Sequence, residues 1–460
     1  MEIFLIEFSV FGRVIYSYAD RYLFQANIRH DGSSRFAKGY RWGTFPSFSA
    51  GWVMSEEKFM KSLNWDWLSF LKLRGSWGIL GNERIGDDYF PYIALMSFGN
   101  SLFYMADGSV VSDKTARPAI LAVEDITWET TTSTDFGLDA NFFNNRLQFH
   151  FDYYWKQTKD MLLKIEIPYF MGYNNPNTNA GKMSTHGYDI ELAWNDRIGD
   201  LQYGVNVNFS DFLSKIDYMN DGEQISNGKI KRAGVLFNEY YGYVCDGIYQ
   251  TQEEVNNSAR TSTTVTVGDL KYRDISGPDG VPDGIISPEY DRVPLGNSLP
   301  RFQYGGTFNA SYKGIDFSIA FQGIGKQNSY LSTAMVQPLR DNYGSVPSII
   351  EGKYWSPFNT AEENLSARYP RLSNVSKSNN YATSNFWMFN GSYFRLKNLT
   401  LGYTLPETWT QKAGIDRVRF YISGSDLFCL SNFPDGWDPE MGASSYPITT
   451  SLVMGLQVNF

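Results

Sequence analysis

An all-β fold, and within that class a portion of an antiparallel transmembrane β-barrel, is what these 460 residues predict, on three observations. Aromatic residues make up 17% of the chain beside 41 Gly and only 19% charged residues, and aromatics favour pleated sheet while glycine weakens helix. Apolar and polar residues alternate strictly along many stretches. The connections between those stretches alternate short and long, as the two ends of a membrane barrel do.

The alternation is clearest at Arg146 to Lys156. There Leu147, Phe149, Phe151, Tyr153 and Trp155 interleave with Gln148, His150, Asp152, Tyr154 and Lys156, which puts one apolar and one polar face on a strand. Leu201 to Ser210, Tyr188 to Asn195, Arg301 to Lys313, Leu71 to Gly78 and Leu452 to Phe460 repeat the pattern. About thirteen such segments are expected, each roughly 9 to 11 residues long as a membrane-crossing strand requires. Their centres fall near residues 14, 26, 49, 74, 137, 151, 191, 205, 307, 320, 399, 422 and 455. Between Leu396 and Leu399 the apolar phase slips, which predicts a β-bulge near Asn398.

Tight links are expected at Ala19 to Tyr22, Asn144 and Asn145, Asp196 to Asp200, Lys313 to Ile315 and Glu407 to Ile415. Long links are expected at Gln157 to Thr185, Phe212 to Pro300, Gly325 to Ser392 and Leu430 to Thr449. The connection from Ser55 to Phe70 is of middling length, and so is the loop near residues 30 to 42. Apolar faces ending in Tyr16, Tyr18, Trp155, Trp194, Tyr312 and Tyr403 suit interfacial girdles. The chain stops on an outward aromatic, with Leu452, Met454, Leu456, Val458 and Phe460 on every second position.

Forty Lys plus Arg against 49 Asp plus Glu leave a net charge of −9. That argues against an electrostatic grip on nucleic acid or on anionic lipid. The longest uncharged stretch, Tyr89 to Ala106, is broken by Pro91, Gly99 and Asn100, so no spanning helix is expected. Met1 to Val10 carries Glu2 and Glu7 without a basic start and does not read as a secretory signal. Cys245 and Cys429 are too few for a disulfide framework or a thiolate metal site.

The residues resemble the SusC/RagA family of TonB-linked outer-membrane transporters. The resemblance rests on Tyr18-Ala-Asp-Arg-Tyr22, Asp31-Gly-Ser-Ser-Arg-Phe36, Trp42-Gly-Thr-Phe-Pro46 with Gly51-Trp52, and Leu73-Arg-Gly-Ser-Trp-Gly78 with Gly81-Asn82. Farther along it is carried by Trp128-Glu129, Tyr393-Phe-Arg-Leu-Lys-Asn-Leu399, Gly402-Tyr-Thr-Leu-Pro406, Asp438-Pro-Glu440 and the terminal Phe460. It covers residues 11–460 and leaves 1–10 as a poorly matching segment. It implies barrels of about 22 strands with a plugged lumen, of which this chain would supply the last thirteen, with no counterpart of the plug or of the TonB-contacting segment. It further implies import of oligosaccharides or peptides through the outer membrane with a SusD-like surface lipoprotein, energy from TonB through the plug, and a last strand read by the barrel assembly machinery. The fragment by itself would not transport. The rival reading is a secreted or surface glycan-binding β-sandwich or adhesin, whose apolar faces would meet each other instead of lipid.

Enzyme motifs do not occur: the chain has no phosphate-binding glycine loop, nucleophile elbow or HExxH pair. Inward carboxylates such as Asp139, Asp152, Asp189 and Glu191 are what a wet lumen requires. Contact with ligand or partner is expected on the long loops, at Trp355, Tyr381, Phe386, Trp387, Phe389, Phe433 and Trp437, since aromatics stack on sugar rings or anchor protein interfaces; packing of the loops against the rim is an equal alternative. Between Asp274 and Asp291 oxygen ligands surround tight glycine turns. A solvated acidic turn is the favoured reading there, and weak Ca²⁺ binding at Asp274, Asp279 and Asp283 is the alternative.

Overall fold

The computed structural model describes residues 5–86, 89–220, 222–332, 337–339, 346, 348–441 and 445–460. Thirteen strands form one antiparallel sheet in chain order. They are β1 (Glu7–Tyr18), β2 (Tyr22–Ser33), β3 (Trp42–Val53), β4 (Leu68–Asn82), β5 (Glu129–Phe142), β6 (Leu147–Lys164), β7 (Asn177–Ile198), β8 (Leu201–Met219), β9 (Arg301–Tyr312), β10 (Ile315–Lys326), β11 (Tyr393–Thr404), β12 (Arg417–Ser431) and β13 (Ser451–Asn459). Each expected segment coincides with one of these strands. The chain divides into two compact units, the first built mainly from residues 1–190 and the second mainly from 236–460, with β7 and β8 contributing to both.

The tight turns follow from backbone chemistry. Ala19 and Asp20 both take positive φ, as do Lys313 and Gly314, the geometry whose twist matches two antiparallel strands. In β11 the pairing with β10 and with β12 skips a residue at Lys397, so the slip in apolar phase is a bulge beside Asn398.

Two differences stand out. Strands β6, β7 and β8 run for 18, 22 and 19 residues, well beyond the roughly 9 to 11 needed to cross a bilayer. Strand β6 continues past Trp155 to Lys164, pairing with β5 as far as Lys159 and packing Leu162 against the buried cluster of Phe36, Phe45 and Trp128, so the link after β6 shrinks to residues 165–176. Strand β1 begins at Glu7; residues 1–4 lie outside the described residues. Finally, the uncharged stretch after β4 forms a hairpin, Leu95–Tyr104 against Val110–Ile120.

Apolar rows on the strands stay exposed, among them Val14, Ile28, Phe136, Phe420 and Leu456. A β-sandwich would bury such rows against a second layer, so the rival architecture is set aside. Among the described residues no helix is long and apolar enough to cross a membrane. Both cysteines are free.

Candidate functional site

In the first unit the sheet presents a charged face opposite its apolar one. Strand register places Lys72 opposite Asp139 and Arg74 opposite Gly137, and β6 continues the rows with His150 opposite Asp139 and Asp152 opposite Gly137. Arg74 reaches Asp139 at 2.9 Å and Asp152 at 2.9 Å, and His150 Nδ1 lies 2.9 Å from Asp139. The guanidinium passes directly over Gly137, where a Cβ would stand 2.5 Å from Arg74 Cζ. The second unit repeats the device: Arg419 pairs with Asp316 over Gly402, where a Cβ would stand 2.5 Å from the Asp316 carboxylate. These glycines leave room for an ion pair to bridge strands that are not neighbours.

The motifs behind the family resemblance turn out to be clamps. Glu57 receives Arg21 at 3.1 Å, the Tyr22 hydroxyl at 2.5 Å and the Trp52 indole N–H at 3.2 Å, which ties the first tight turn to the end of β3. Phe36, Phe45, Ile85, Ile126 and Trp128 make one buried cluster, and Trp128 donates its indole N–H to the Arg41 carbonyl. In the second unit Arg395 meets Asp438 and Glu440, each at 2.5 Å, while Lys397 holds Asp426 at 2.7 Å. The Arg395 side chain is only 4% exposed, so the two motifs fasten the last long loop to the inner face of β11.

Six of the seven aromatics expected to contact ligand share one cluster. Trp387 and Phe433 are buried with Leu331, and Tyr381, Phe386, Phe389 and Trp437 pack around them half-buried. Trp387 is 0% exposed and spends its indole N–H on the Asn380 carbonyl at 2.7 Å. Its indole therefore lies in the shared core of the loops. Trp355 lies apart, against Gly268, and is also half-buried.

The second unit has a polar hub that periodicity does not reveal. Asp269, fully buried, accepts from Arg371 at 2.7 Å, from Ser376 at 2.9 Å and from Asn380 at 3.0 Å. Asn379 and Asn380 bind the backbone of Leu270, and the Tyr272 hydroxyl donates to the Asn379 carbonyl at 2.6 Å. Burial raises the Tyr272 hydroxyl far above its ordinary pKa and pushes the Cys245 thiol up to about 11, so both stay protonated. No sequence signal links Asp269 to Arg371. The hairpin 95–120, by contrast, had one: Asp107-Gly108 between alternating runs is a turn signature.

The acidic loop is organised around Asp291, which accepts from the backbone N–H groups of Ile275, Ser276 and Ser287. Asp274 accepts from Gly284 N–H and Asp283 from Ile285 N–H. Among the described residues no group of three or more His, Cys, Asp or Glu is arranged to hold a metal ion. On β13, Leu452, Met454, Leu456 and the following Phe460 are exposed and Val458 is half-buried.

The β-barrel family described as "TonB dependent receptor-like, beta-barrel" matches residues 6–423. Among curated relatives, TonB-dependent receptor P3 of Formosa agariphila is 30% identical over 98% of this chain and 45% of its own length. TonB-dependent receptor SusC of Bacteroides thetaiotaomicron is 31% identical over 98% of this chain and 43% of its own. The chain thus spans about half the length of the curated relatives it matches. The solved RagAB peptide transporter has the same fold, with a TM-score of 0.79 at 23% identity over 99% of this chain and 47% of that one. Clamps and two-faced strands are accounted for together: the chain belongs to the TonB dependent receptor-like β-barrel family, whose place is the outer membrane.

Proposed function

We propose that the chain supplies wall and extracellular loops to a transporter that imports oligosaccharides or peptides across the outer membrane. The observation that carries this reading is the two-faced wall. One side bears exposed apolar rows suited to hydrocarbon, the other bears strand-bridging ion pairs such as Arg74 with Asp139 and Asp152, suited to a wet passage. The family and the relative named SusC support it, and TonB is the expected energy source.

A SusD-like surface lipoprotein is the proposed partner, and the hairpin 95–120 its proposed contact. Phe98 and Leu102 are 80% and 69% exposed there, and contiguous exposed apolar residues on an aqueous loop mark a binding surface. Contact with substrate or partner is proposed also at the half-buried Trp355, Tyr381, Phe386, Phe389 and Trp437, with Trp387 and Phe433 holding them in place. The β13 pattern ending on Phe460 is the proposed signal to the assembly machinery. For the acidic loop, weak Ca²⁺ binding at Asp274, Asp279 and Asp283 is the second reading, favoured by one enclosed oxygen, Asp274 Oδ1, that receives no hydrogen bond.

Uptake of labelled oligosaccharides and peptides by cells carrying the complete protein tests the main reading. Phe98→Ser with Leu102→Ser is expected to abolish co-purification of the lipoprotein while the barrel still reaches the membrane. Uptake of neither substrate class by the unaltered protein would sink the transport reading; calorimetry without heat at millimolar Ca²⁺ would remove the cation.

A further inference from the structure

Strands β1 and β2 are joined by residues 19–21 and β5 and β6 by 143–146, yet the link from β3 to β4, at the same short-link end of the first unit, takes residues 54–67. Its course is specific. A 3-10 turn over Met54–Glu56 leads into a short helix, Lys58–Ser62, which Asn64 ends in the left-handed conformation. Glu57, held by Arg21, Tyr22 and Trp52, fixes the root. Beyond that root Phe59, Leu63, Trp65 and Trp67 are all about half exposed, so the segment spends its large apolar side chains on its surface. One turn of helix separates Phe59 from Leu63, which places both on one face.

The indoles are ordered. Trp65 stacks on Trp67 at 5.2 Å and Trp67 on Phe142 at 5.8 Å with the rings nearly parallel, and Phe143 donates its N–H to the Trp67 carbonyl. Phe142 in turn pairs with Leu68 and with Leu147, on the apolar face of the wall. The segment's aromatic surface is therefore continuous with the face that meets hydrocarbon. Its exposed charges balance, Lys58 and Lys61 against Glu56 and Asp66, and Lys61 already pairs with Glu56 at 2.5 Å.

From that continuity and that charge balance we infer that residues 54–67 form an interfacial foot lying in the phospholipid headgroup layer at the short-link end of the wall. Indole rings favour that layer because one edge is apolar and the N–H is polar. Short amphipathic helices lie along it by the same balance. Contact through apolar area instead of net charge predicts a depth that does not depend on anionic lipid.

The test is made on the complete protein, with Cys245→Ser and Cys429→Ser as background. A nitroxide is attached at Phe59→Cys, Leu63→Cys, Asp20→Cys or Phe151→Cys, and the protein is reconstituted in phosphatidylcholine vesicles with or without phosphatidylglycerol. Labels at 59 and 63 are expected to collide with a water-soluble nickel chelate several-fold less, and with oxygen more, than the label in the tight turn at 20. Equal collision at 63 and 20 overturns the foot, and so does a depth that appears only with phosphatidylglycerol. The label at 151 separates the possible failures. If it too collides freely with nickel, the lipid-facing assignment of the wall has failed; if it is shielded while 63 is not, the foot alone has failed. Retained heat-modifiable migration in gels confirms that each labelled protein is folded.

Discussion

Arg74 in the first unit and Arg395 in the second are both strand arginines that hold carboxylates, Arg74 two and Arg395 two at 2.5 Å with Asp426 at 3.9 Å, but the first is 31% exposed and the second 4%. The difference assigns them different work. Arg74 reaches across Gly137 on a face open to water, where an ion pair gains little because solvent screens it. Arg395 is enclosed between β11 and the loop that brings Asp438 and Glu440, so removing it would take the guanidinium from two partly buried carboxylates, of which Glu440 keeps Gln322 at 3.1 Å and Lys397 at 3.8 Å. One pair tunes the charge of a wall, and the other fastens a loop to it.

The largest expected effect lies in the loops that the second pair helps to fasten. Trp387→Ala removes a fully buried indole from the aromatic cluster and its bond to Asn380, and should cost about 3 to 5 kcal/mol. Limited proteolysis should then cut the 328–390 region while the strands resist, and unaltered resistance would show that the cluster does not hold the loops. Arg395→Ala should cost about 3 kcal/mol, near the lower end for a broken buried pair, and should free the loop around Asp438 to proteases. If Arg395→Ala and Arg74→Ala destabilise equally in denaturant titrations of the reconstituted protein, the contrast between dry and wet pair is wrong.

Legibility divides along the same line. Thirteen strands could be read from the sequence because lipid on one side and water on the other impose a period of two, and Leu147 to Lys156 obeys it residue by residue. The bulge at Lys397 was visible for the same reason, as a break in that period. Loop structure obeys no such period. Asp269 and Arg371 meet only because the chain folds back on itself, and nothing local to either residue announces the other. Trp387 shows what composition leaves open: an aromatic with polar neighbours reads equally as a contact residue or as loop packing, and only the fold places its indole inside a core shared by the loops. Strand ends were misjudged in β6 to β8 because hydrogen-bonded ladders outlast the apolar rows that reveal them.

Smaller effects probe the wall. Phe151→Lys, opposite Leu138 on the apolar face, should cost about 2 to 4 kcal/mol at mid-bilayer and less toward an interface. Unfolding from vesicles measures it, and no cost would place the position in water. Gly137→Ala should cost about 1 kcal/mol, at the low end for added volume. The new Cβ meets Arg74 Cζ and Asp152 Oδ1, which are the mobile ends of side chains and can yield.

The smallest effect is also the most informative about how the wall is built. Arg74→Ala should cost about 1 kcal/mol, as an ion pair with a partly solvated guanidinium does, and the cost should shrink further in high salt. Asp139 keeps His150 at 2.9 Å and Lys72 at 4.0 Å, so one of the two carboxylates is not stranded. If Gly137 serves chiefly to let the guanidinium pass, Gly137→Ala should cost less once Arg74 is already alanine, because only Asp152 Oδ1 then remains beside the space its methyl enters. A double-mutant cycle measures that coupling. Full additivity would mean that Gly137 is needed by the strand itself, and the same substitution at Gly402, beneath Asp316 and Arg419, would then have to be explained without reference to its ion pair.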